Sequence, residues 1–302
     1  MQKTEKYAAE VRGLVRSYGR HEAVRGLDMI VERGQCHGFF GRNGAGKTTT
    51  IKCLLNHLQP ESGSVRVFGM DPRVDEVAVK LCIGYVPDDV AFYPWMTVRQ
   101  MLDYSASFRP HWNRELEREL LDVRFGLDEN RPVSGLSRGM RAQLALICAV
   151  APEPDLLLLD EPTSGLDPVV RREFLETVIG AYQDGDPEHR TVLVSTHLID
   201  EFEGLIDAFT VIEGGRNLLA LDVDSARRSF KRIRLRFREE PPPLAEPWVL
   251  EYHREGRELE LTARDFSPEI EAQLRALEAT TLSVDNLPLE EIFVAATRGQ
   301  VS

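Results

Sequence analysis

The chain has 302 residues, is 42% hydrophobic and 28% charged, and carries a formal net charge of −12. This length predicts about two domains, and no apolar stretch approaches the roughly 20 residues that span a bilayer, so the protein is expected to serve any membrane from outside the bilayer. The four scattered cysteines are interpreted as buried free thiols in a reducing cytoplasm. The acidic balance argues against a nucleic-acid surface, because phosphate neutralisation needs basic patches, and we expect no nucleic-acid partner.

Residues 41–49 carry the most informative motif of the sequence, a Gly-x4-Gly-Lys-Thr phosphate loop. Glycines let the backbone turn tightly, so that successive N–H groups can point at phosphate oxygens. The apolar run 36–40 predicts a buried strand before the loop. Residues 48–57 predict a helix after it, whose N-terminus would face the phosphates. This context predicts a nucleoside triphosphate site formed by Gly41, Asn43, Gly44, Ala45, Gly46, Lys47, Thr48 and Thr49.

Two side chains of this loop have predicted chemical tasks. Lys47 can reach the β- and γ-phosphates, and the Thr48 hydroxyl can ligate a bound Mg2+. A guanine-specific site is disfavoured because the sequence contains no Asn-Lys-x-Asp motif. We therefore expect a nucleoside triphosphate and Mg2+ as the bound groups.

The sequence from about residue 89 to 152 has a helical pattern. Thr97, Asn113 and Ser137 are favourable N-cap residues, and they predict three helices, of which the first ends near Phe108.

Two continuous apolar runs, residues 156–160 and 191–196, predict central parallel strands that are covered on both faces. A helix is expected over residues 169–183. The predicted fold class is therefore α/β, with a helical block inserted between two strands of the core.

The pattern changes again near residue 221. Apolar residues alternate with arginines over 233–237, and a turn at Glu255-Gly256 between two alternating segments predicts a hairpin. The arginine-rich stretch 227–238 is interpreted as a solvated face. We predict two domains, 1–220 and 221–302, the second a small α+β domain without a chemical motif.

Asp160 and Glu161 follow the apolar run 156–160 and give a second nucleotide signal. A carboxylate at the end of a strand can hold Mg2+ through its water shell, which suits Asp160. Glu161 can orient and deprotonate the attacking water as a general base. Together with the phosphate loop, this pair predicts hydrolysis of a nucleoside triphosphate.

These motifs, joined by Leu136–Met140 and by residues 164–167 and 195–197, resemble the nucleotide-binding subunit of an ATP-binding cassette (ABC) transporter. The resemblance covers roughly residues 8–220 and implies a P-loop NTPase core with a helical subdomain at about 89–152. It also implies that ATP is sandwiched between two subunits.

The resemblance further assigns roles to residues outside the phosphate loop. Ser137 and Gly139 would contact the γ-phosphate on the partner's phosphate loop, and Asp167 would carry contacts across the dimer. His197 would contact the γ-phosphate, the alternative being a hydrogen-bonded histidine at a strand end. Tyr18 would stack on adenine, the alternative being an ordinary core aromatic.

The sequence departs from the family pattern at several positions. Asp88 replaces the usual glutamine; it remains an oxygen donor for Mg2+, although its shorter side chain could reach only through water. The segment that opens the third helix has Arg138 for a glycine and Met140 for a glutamine, while Arg42 adds a positive charge within the phosphate loop.

Two further segments bear on the partner. The aromatic residues of 92–96 lie where the family receives a cytoplasmic helix of the membrane subunit, and they could equally pack the helical block onto the core. Residues 287–293 resemble the tail of ATPases that pair with ABC-2 export permeases, which favours export.

The function expected from this resemblance is hydrolysis of ATP to ADP and phosphate, coupled to transport by a separate integral membrane permease. The chain would work as a homodimer or with a paralogous ATPase subunit, peripherally on the inner face of the cell membrane. One alternative is a soluble ABC-type ATPase acting on ribosomes or nucleic acid. Another is a regulatory binding module whose last domain senses a ligand.

Overall fold

The computed structural model describes residues 6–183, 190–244 and 246–298. The chain forms two compact units. The first runs to His197 and includes Leu205–Asn217; the second contains Leu198–Gly204 and the chain from Leu218 onward. In the part of the chain that the structure describes, no helix combines the length and apolar character needed to cross a bilayer.

The elements that belong wholly or partly to the first unit follow one another in chain order. They are β1 (Tyr7–Tyr18), β2 (His21–Glu32), β3 (Cys36–Phe40), α1 (Lys47–Leu54), β4 (Ser62–Val67), α2 (Glu76–Cys82), β5 (Ile83–Val86), α3 (Val98–Ala106), α4 (Arg114–Arg118), α5 (Arg138–Val150), β6 (Leu156–Asp160), α6 (Pro168–Gln183) and β7 (Thr191–Thr196). Helix α7 (Ile199–Phe202) comes next in the chain and belongs to the second unit. It is followed by β8 (Ala208–Glu213) and β9 (Arg216–Asp222).

The central sheet has the strand order β5-β6-β7-β3-β8-β9, and its pairings from β5 to β8 are parallel. Every residue of β6 and β7 is buried, as the continuous apolar runs predict. A separate antiparallel sheet has the order β2-β1-β4. Because the carboxyl ends of parallel strands meet at one edge, the residues that follow β3, β6 and β7 come together there.

The three predicted N-cap residues of the helical block each begin a helix. The side chains of Thr97, Asn113 and Ser137 accept backbone N–H groups at the starts of α3, α4 and α5. The second helix changes to π-helical geometry over Glu119–Arg124. The predicted α/β core with an inserted helical block is confirmed.

Two predicted helix ends were wrong. The helix expected over 48–57 ends at Leu54, because Asn56 takes a left-handed φ of 56° and its N–H donates to the Cys53 carbonyl. Asparagine tolerates this conformation, which terminates a helix. The helix expected to reach Phe108 ends at Ala106.

The second unit contains α8 (Val223–Ser229), β10 (Lys231–Arg236), β11 (Val249–Glu255), β12 (Glu258–Ala263), α9 (Pro268–Ala276), β13 (Thr281–Asn286) and α10 (Leu289–Arg298). Its antiparallel sheet has the order β11-β12-β10-β13. The hairpin turn lies where the sequence predicts it, with Gly256 at φ 57°. Ile270 and Leu274 of α9 pack with Ile233 and Leu261 of the sheet in a small apolar core.

Candidate nucleotide site

The phosphate loop joins the end of β3 to the start of α1. Gly44 and Gly46 have φ values of 82° and 113°, in the region that favours glycine. A Cβ atom at Gly41 would lie 2.5 Å from the Ile212 carbonyl oxygen, and one at Gly46 would lie 2.5 Å from that of Ala23. Glycine is therefore required at these positions, and the loop has the geometry of an anion-binding turn at a helix N-terminus.

Lys47 is buried beneath this loop. Its Nζ donates to the carbonyl oxygens of Gly41 at 2.6 Å and Arg42 at 3.3 Å, and it lies 2.9 Å from Glu161 Oε1. The other carboxylate oxygen, Oε2, lies 2.8 Å from His197 Nδ1. Three residues predicted from separate segments thus form one contiguous group, with the carboxylate held between two basic side chains.

The backbone of Glu161 is held in an unusual conformation. Its φ is 47°, which costs a residue other than glycine about 1–3 kcal/mol. The surrounding structure fixes it, because its N–H donates to the Ser195 carbonyl at 2.8 Å and its own carbonyl accepts the Ser164 N–H at 3.1 Å. Strain of this kind is concentrated at functional sites, which agrees with the predicted importance of Glu161.

Asp160 is the last residue of β6 and is almost fully buried. Its Oδ1 accepts the hydroxyls of Ser195 at 2.5 Å and Thr48 at 3.1 Å. Burial raises the pKa of Asp160, with the charges of Glu161 and Asp88 adding to the rise and the two hydroxyls opposing it. Its Oδ2 is buried and has no hydrogen-bond partner among the described residues. An unpartnered carboxylate oxygen beside a threonine hydroxyl suits a hard cation such as Mg2+.

A cavity of about 370 Å³ opens above the loop, within the size range of small-ligand sites. It brings most of the predicted nucleotide residues together with two that the sequence did not indicate, His21 and Ala23. The residues that line it are Tyr18, His21, Ala23, Asn43, Gly44, Gly46, Lys47, Thr48, Thr49, Asp88 and Glu161.

Tyr18 lies at the edge of this cavity, with 48% of its surface exposed. Its interpretation as a core aromatic is therefore wrong. The guanidinium of Arg16 lies 5.7 Å from the centre of its ring, so the ring is held on one side by a cation.

Ser137, Gly139 and Asp167 do not line this cavity. The Ser137 hydroxyl oxygen accepts the Met140 N–H at 3.2 Å as the N-cap of α5. The Asp167 carboxylate accepts the N–H groups of Val169 and Val170, both at 3.1 Å, at the start of α6. Within one chain, the side chains of Ser137 and Asp167 therefore serve helix ends.

The predicted aromatic segment 92–96 is partly at the surface. Trp95 is 72% exposed, and its ring centre lies 5.0 Å from that of Tyr93. The contacts continue from Tyr93 to Tyr104 at 5.5 Å and from Tyr104 to Phe108 at 4.9 Å. Because these four rings are exposed, core packing does not account for them, whereas Phe92 and Met96 are half-buried.

Ser195 belongs to the motif 195–197, but the sequence predicted no role for it at the site. Its hydroxyl and carbonyl fix Asp160 and Glu161 respectively, but it lies 34 or more positions away in the chain, and only strand pairing brings it to them.

Comparisons with known proteins agree with this geometry. The family model for ABC transporters matches residues 24–164. The daunorubicin/doxorubicin resistance ATP-binding protein DrrA of Streptomyces peucetius is 33% identical over 309 residues, which cover 96% of this chain and 92% of that protein. The bacitracin transport ATP-binding protein BcrA of Bacillus licheniformis is 32% identical over 217 residues, or 71% of this chain and 70% of that protein.

Solved structures of ABC transporter ATP-binding subunits also superpose on this chain. One described as the ATP binding subunit of an ABC transporter superposes with a TM-score of 0.66 at 28% identity, covering 73% of this chain and 92% of that one. The cbiO1 protein of Clostridium perfringens, part of the ABC transporter complex cbiONQ, superposes with a TM-score of 0.59 at 26% identity, covering 72% and 89%.

Proposed function

This chain belongs to the ABC transporter family as one of its ATP-binding subunits, and on that premise we propose that it is the ATPase of a two-component exporter. Family membership implies ATPase activity, and the specific reaction proposed is ATP plus water to ADP plus phosphate. The observation that carries this proposal is the buried contact of Glu161 with both Lys47 and His197 at the phosphate loop.

Glu161 is the proposed general base. Its position between Lys47 and His197 leaves it little freedom, so that one carboxylate can orient a water against the γ-phosphate and accept its proton. When a triphosphate enters the site, the Lys47 ammonium can donate to its β- and γ-phosphates instead of to Glu161. The phosphates are the stronger partner because they carry more negative charge than one carboxylate. Transfer of the ammonium to the phosphates would release Glu161 for this task, while His197 keeps its Oε2 in place and contacts the γ-phosphate.

Asp160 and Thr48 are the proposed ligands of Mg2+, with Asp88 contributing through water. Bound Mg2+ would neutralise charge on the phosphate oxygens. In the described residues, no cluster of three or more His, Cys, Asp or Glu side chains could hold a metal ion. This fits an ion bound through one or two carboxylates together with substrate phosphates, so that Mg2+ affinity depends on ATP.

Completion of the site by a second subunit is proposed for Ser137, Gly139 and Asp167. A hydroxyl, a backbone N–H and the N-terminus of the 13-residue helix α5 form a suitable group of donors for a γ-phosphate presented by another chain. The second subunit would be a further copy of this chain or a paralogous ATPase subunit, and ATP would hold the two closed until hydrolysis.

The proposed docking surface for the permease is the exposed aromatic patch formed by Tyr93, Trp95, Tyr104 and Phe108. Exposed aromatic anchors are typical of residues that dominate binding energy at interfaces. Through this contact the chain would lie on the inner face of the cell membrane.

Export is supported by the names of relatives, among them drug resistance, bacitracin transport and Nod factor export proteins. The segment 287–293, which carries the resemblance to ATPases of ABC-2 exporters, forms the start of α10 and the residues before it.

Transport of nucleic acid or action on it is disfavoured by charge. Arg232, Arg234 and Arg236 of the basic stretch each pair with a carboxylate within the second unit.

Turnover by the purified chain tests the enzymatic part of this proposal. We expect release of phosphate from Mg·ATP by the wild type and a loss of about a hundredfold or more in Glu161→Gln, the range attributed to a general base. Because glutamine keeps the shape and a hydrogen-bond acceptor, ATP binding should persist. Equal turnover by both proteins would contradict the role of Glu161.

A further inference from the structure

Asp88 lies at the boundary between two cavities. On one side it lines the nucleotide cavity together with Lys47 and Thr48. On the other side it lines a cavity of about 620 Å³ whose wall also includes Arg138, at the start of α5. Its carboxylate is half exposed, so it has room to turn toward either side.

Arg138 reaches Asp88 from the second cavity. Its Nη2 lies 3.6 Å from Asp88 Oδ1. The guanidinium is also packed against the backbone of Gly165, where a Cβ atom would lie 2.9 Å from Nη1. Gly165 has a φ of 69°, so a side chain is disfavoured there on two grounds, and the glycine leaves space for the arginine. The position of Arg138 is therefore set by more than one contact.

Other charged groups surround the pair. Asp89, Arg141 and Glu161 line the same 620 Å³ cavity, so its wall carries both signs of charge. Asp88 also borders the nucleotide site directly, because it lines the cavity above the phosphate loop. The location of one carboxylate thus affects the field at the phosphate loop. Asp88 and Arg138 are moreover both positions at which this chain departs from the family pattern.

We propose that Arg138 is a positioning residue that holds Asp88 at the edge of the nucleotide cavity and thereby sets how strongly nucleotide binding depends on Mg2+. This rests on the proposed function, because it concerns the same ATP site. With Arg138 present, Asp88 is partly neutralised and directed away from the phosphates.

The direction of the effect follows from charge. Without Arg138, the Asp88 carboxylate is free to repel ATP when no cation is present and to attract Mg2+ when it is. Both effects raise the ratio of the Kd in EDTA to the Kd in Mg2+. Loss of the positive charge of Arg138 itself weakens binding in both conditions, and more so in EDTA, where the triphosphate carries the greater negative charge. This direct effect does not depend on Asp88, so a variant at Asp88 separates it from the proposed one.

The experiment measures the Kd of a non-hydrolysable ATP analogue by equilibrium dialysis, in excess Mg2+ and in EDTA. We expect Arg138→Gln to raise the ratio about three- to fivefold at low salt, as for a favourable exposed ion pair. Arg138→Lys should restore a ratio near the wild-type value. The change should shrink in about 1 M salt, where the screening length falls to about 3 Å.

Two controls make the outcome specific. Arg73→Gln removes an arginine that pairs with Asp71 at 2.7 Å and lines neither cavity, and it should leave the ratio unchanged. In an Asp88→Asn background, Arg138→Gln should change the ratio clearly less than it does in the wild-type background. An unchanged ratio in the single variant, or an equal change in the Asp88→Asn background, would overturn the proposal. Failure of the wild type to bind the analogue at all would instead overturn the proposed function.

Discussion

Lys47 Nζ lies 2.9 Å from Glu161 Oε1, and both side chains are more than 90% buried. A buried ion pair contributes little net stability, but removing one partner leaves an uncompensated charge. The ion pair that holds the proposed general base is therefore also a constraint on the stability of the nucleotide-free protein.

Lys47→Met is expected to destabilise the nucleotide-free protein by about 3 kcal/mol, because Glu161 loses its closest cation in a buried site. The double variant Lys47→Met/Glu161→Gln should recover most of this loss, since no isolated charge remains. Thermal unfolding of the three proteins without nucleotide measures the effect. If the double variant is less stable than Lys47→Met, the two side chains are not coupled in this way.

Asp160→Asn is expected to stabilise the nucleotide-free protein while abolishing its stabilisation by Mg·ATP. Burial raises the pKa of Asp160, so its ionised form disfavours folding at neutral pH, and asparagine retains an acceptor for Ser195 and Thr48. Relief of this penalty should raise the Tm measured without nucleotide. A lower Tm in Asp160→Asn, or a Tm that still rises with Mg·ATP, would contradict this prediction.

His37 predicts part of the pH dependence of stability. It is buried in β3 beside Thr210, and burial lowers its pKa from 6.5 to about 4. Because the unfolded chain takes up the proton first, its contribution is fully present above pH 6.5 and is lost as the pH falls toward 4, by about 3 kcal/mol.

The difference in Tm between wild type and His37→Gln measures this contribution. We expect the wild type to lose more stability than the variant between pH 7 and pH 4.5. Parallel pH profiles would show that His37 does not titrate as its burial implies.

Trp95→Ala should weaken association with the permease and leave nucleotide affinity unchanged. Trp95 is 72% exposed and does not line the nucleotide cavity. Large interface aromatics typically contribute about 2 kcal/mol or more, which is a loss of affinity of about thirtyfold. Tyr252→Ala in the second unit removes a comparably exposed aromatic and serves as control. Equal recovery of the permease with both variants would exclude the patch as the docking surface.

Much of the fold and of the site was predictable because its determinants are local. The phosphate loop, the N-caps Thr97, Asn113 and Ser137, and the strand 156–160 are each specified by a short run of residues. Such patterns can be recognised in the sequence without knowledge of the tertiary structure.

The rest depends on contacts between distant segments. Ser195 meets Asp160 only because β6 and β7 are neighbours, and Arg138 meets Asp88 only through the packing of the helical block. The short strand β5 was also missed, because four residues carry too little pattern to identify. Helix α2, which has seven residues, was not predicted for the same reason.

The most direct test of the central claim is to tag the protein at its native level and identify what co-purifies from cells in mild detergent, with Glu161→Gln alongside. We predict recovery with a polytopic membrane protein, and ATP turnover by the complex that is lost in Glu161→Gln. Recovery only in the soluble fraction, with ribosomes, with nucleic acid or alone, would contradict the assignment to a transporter.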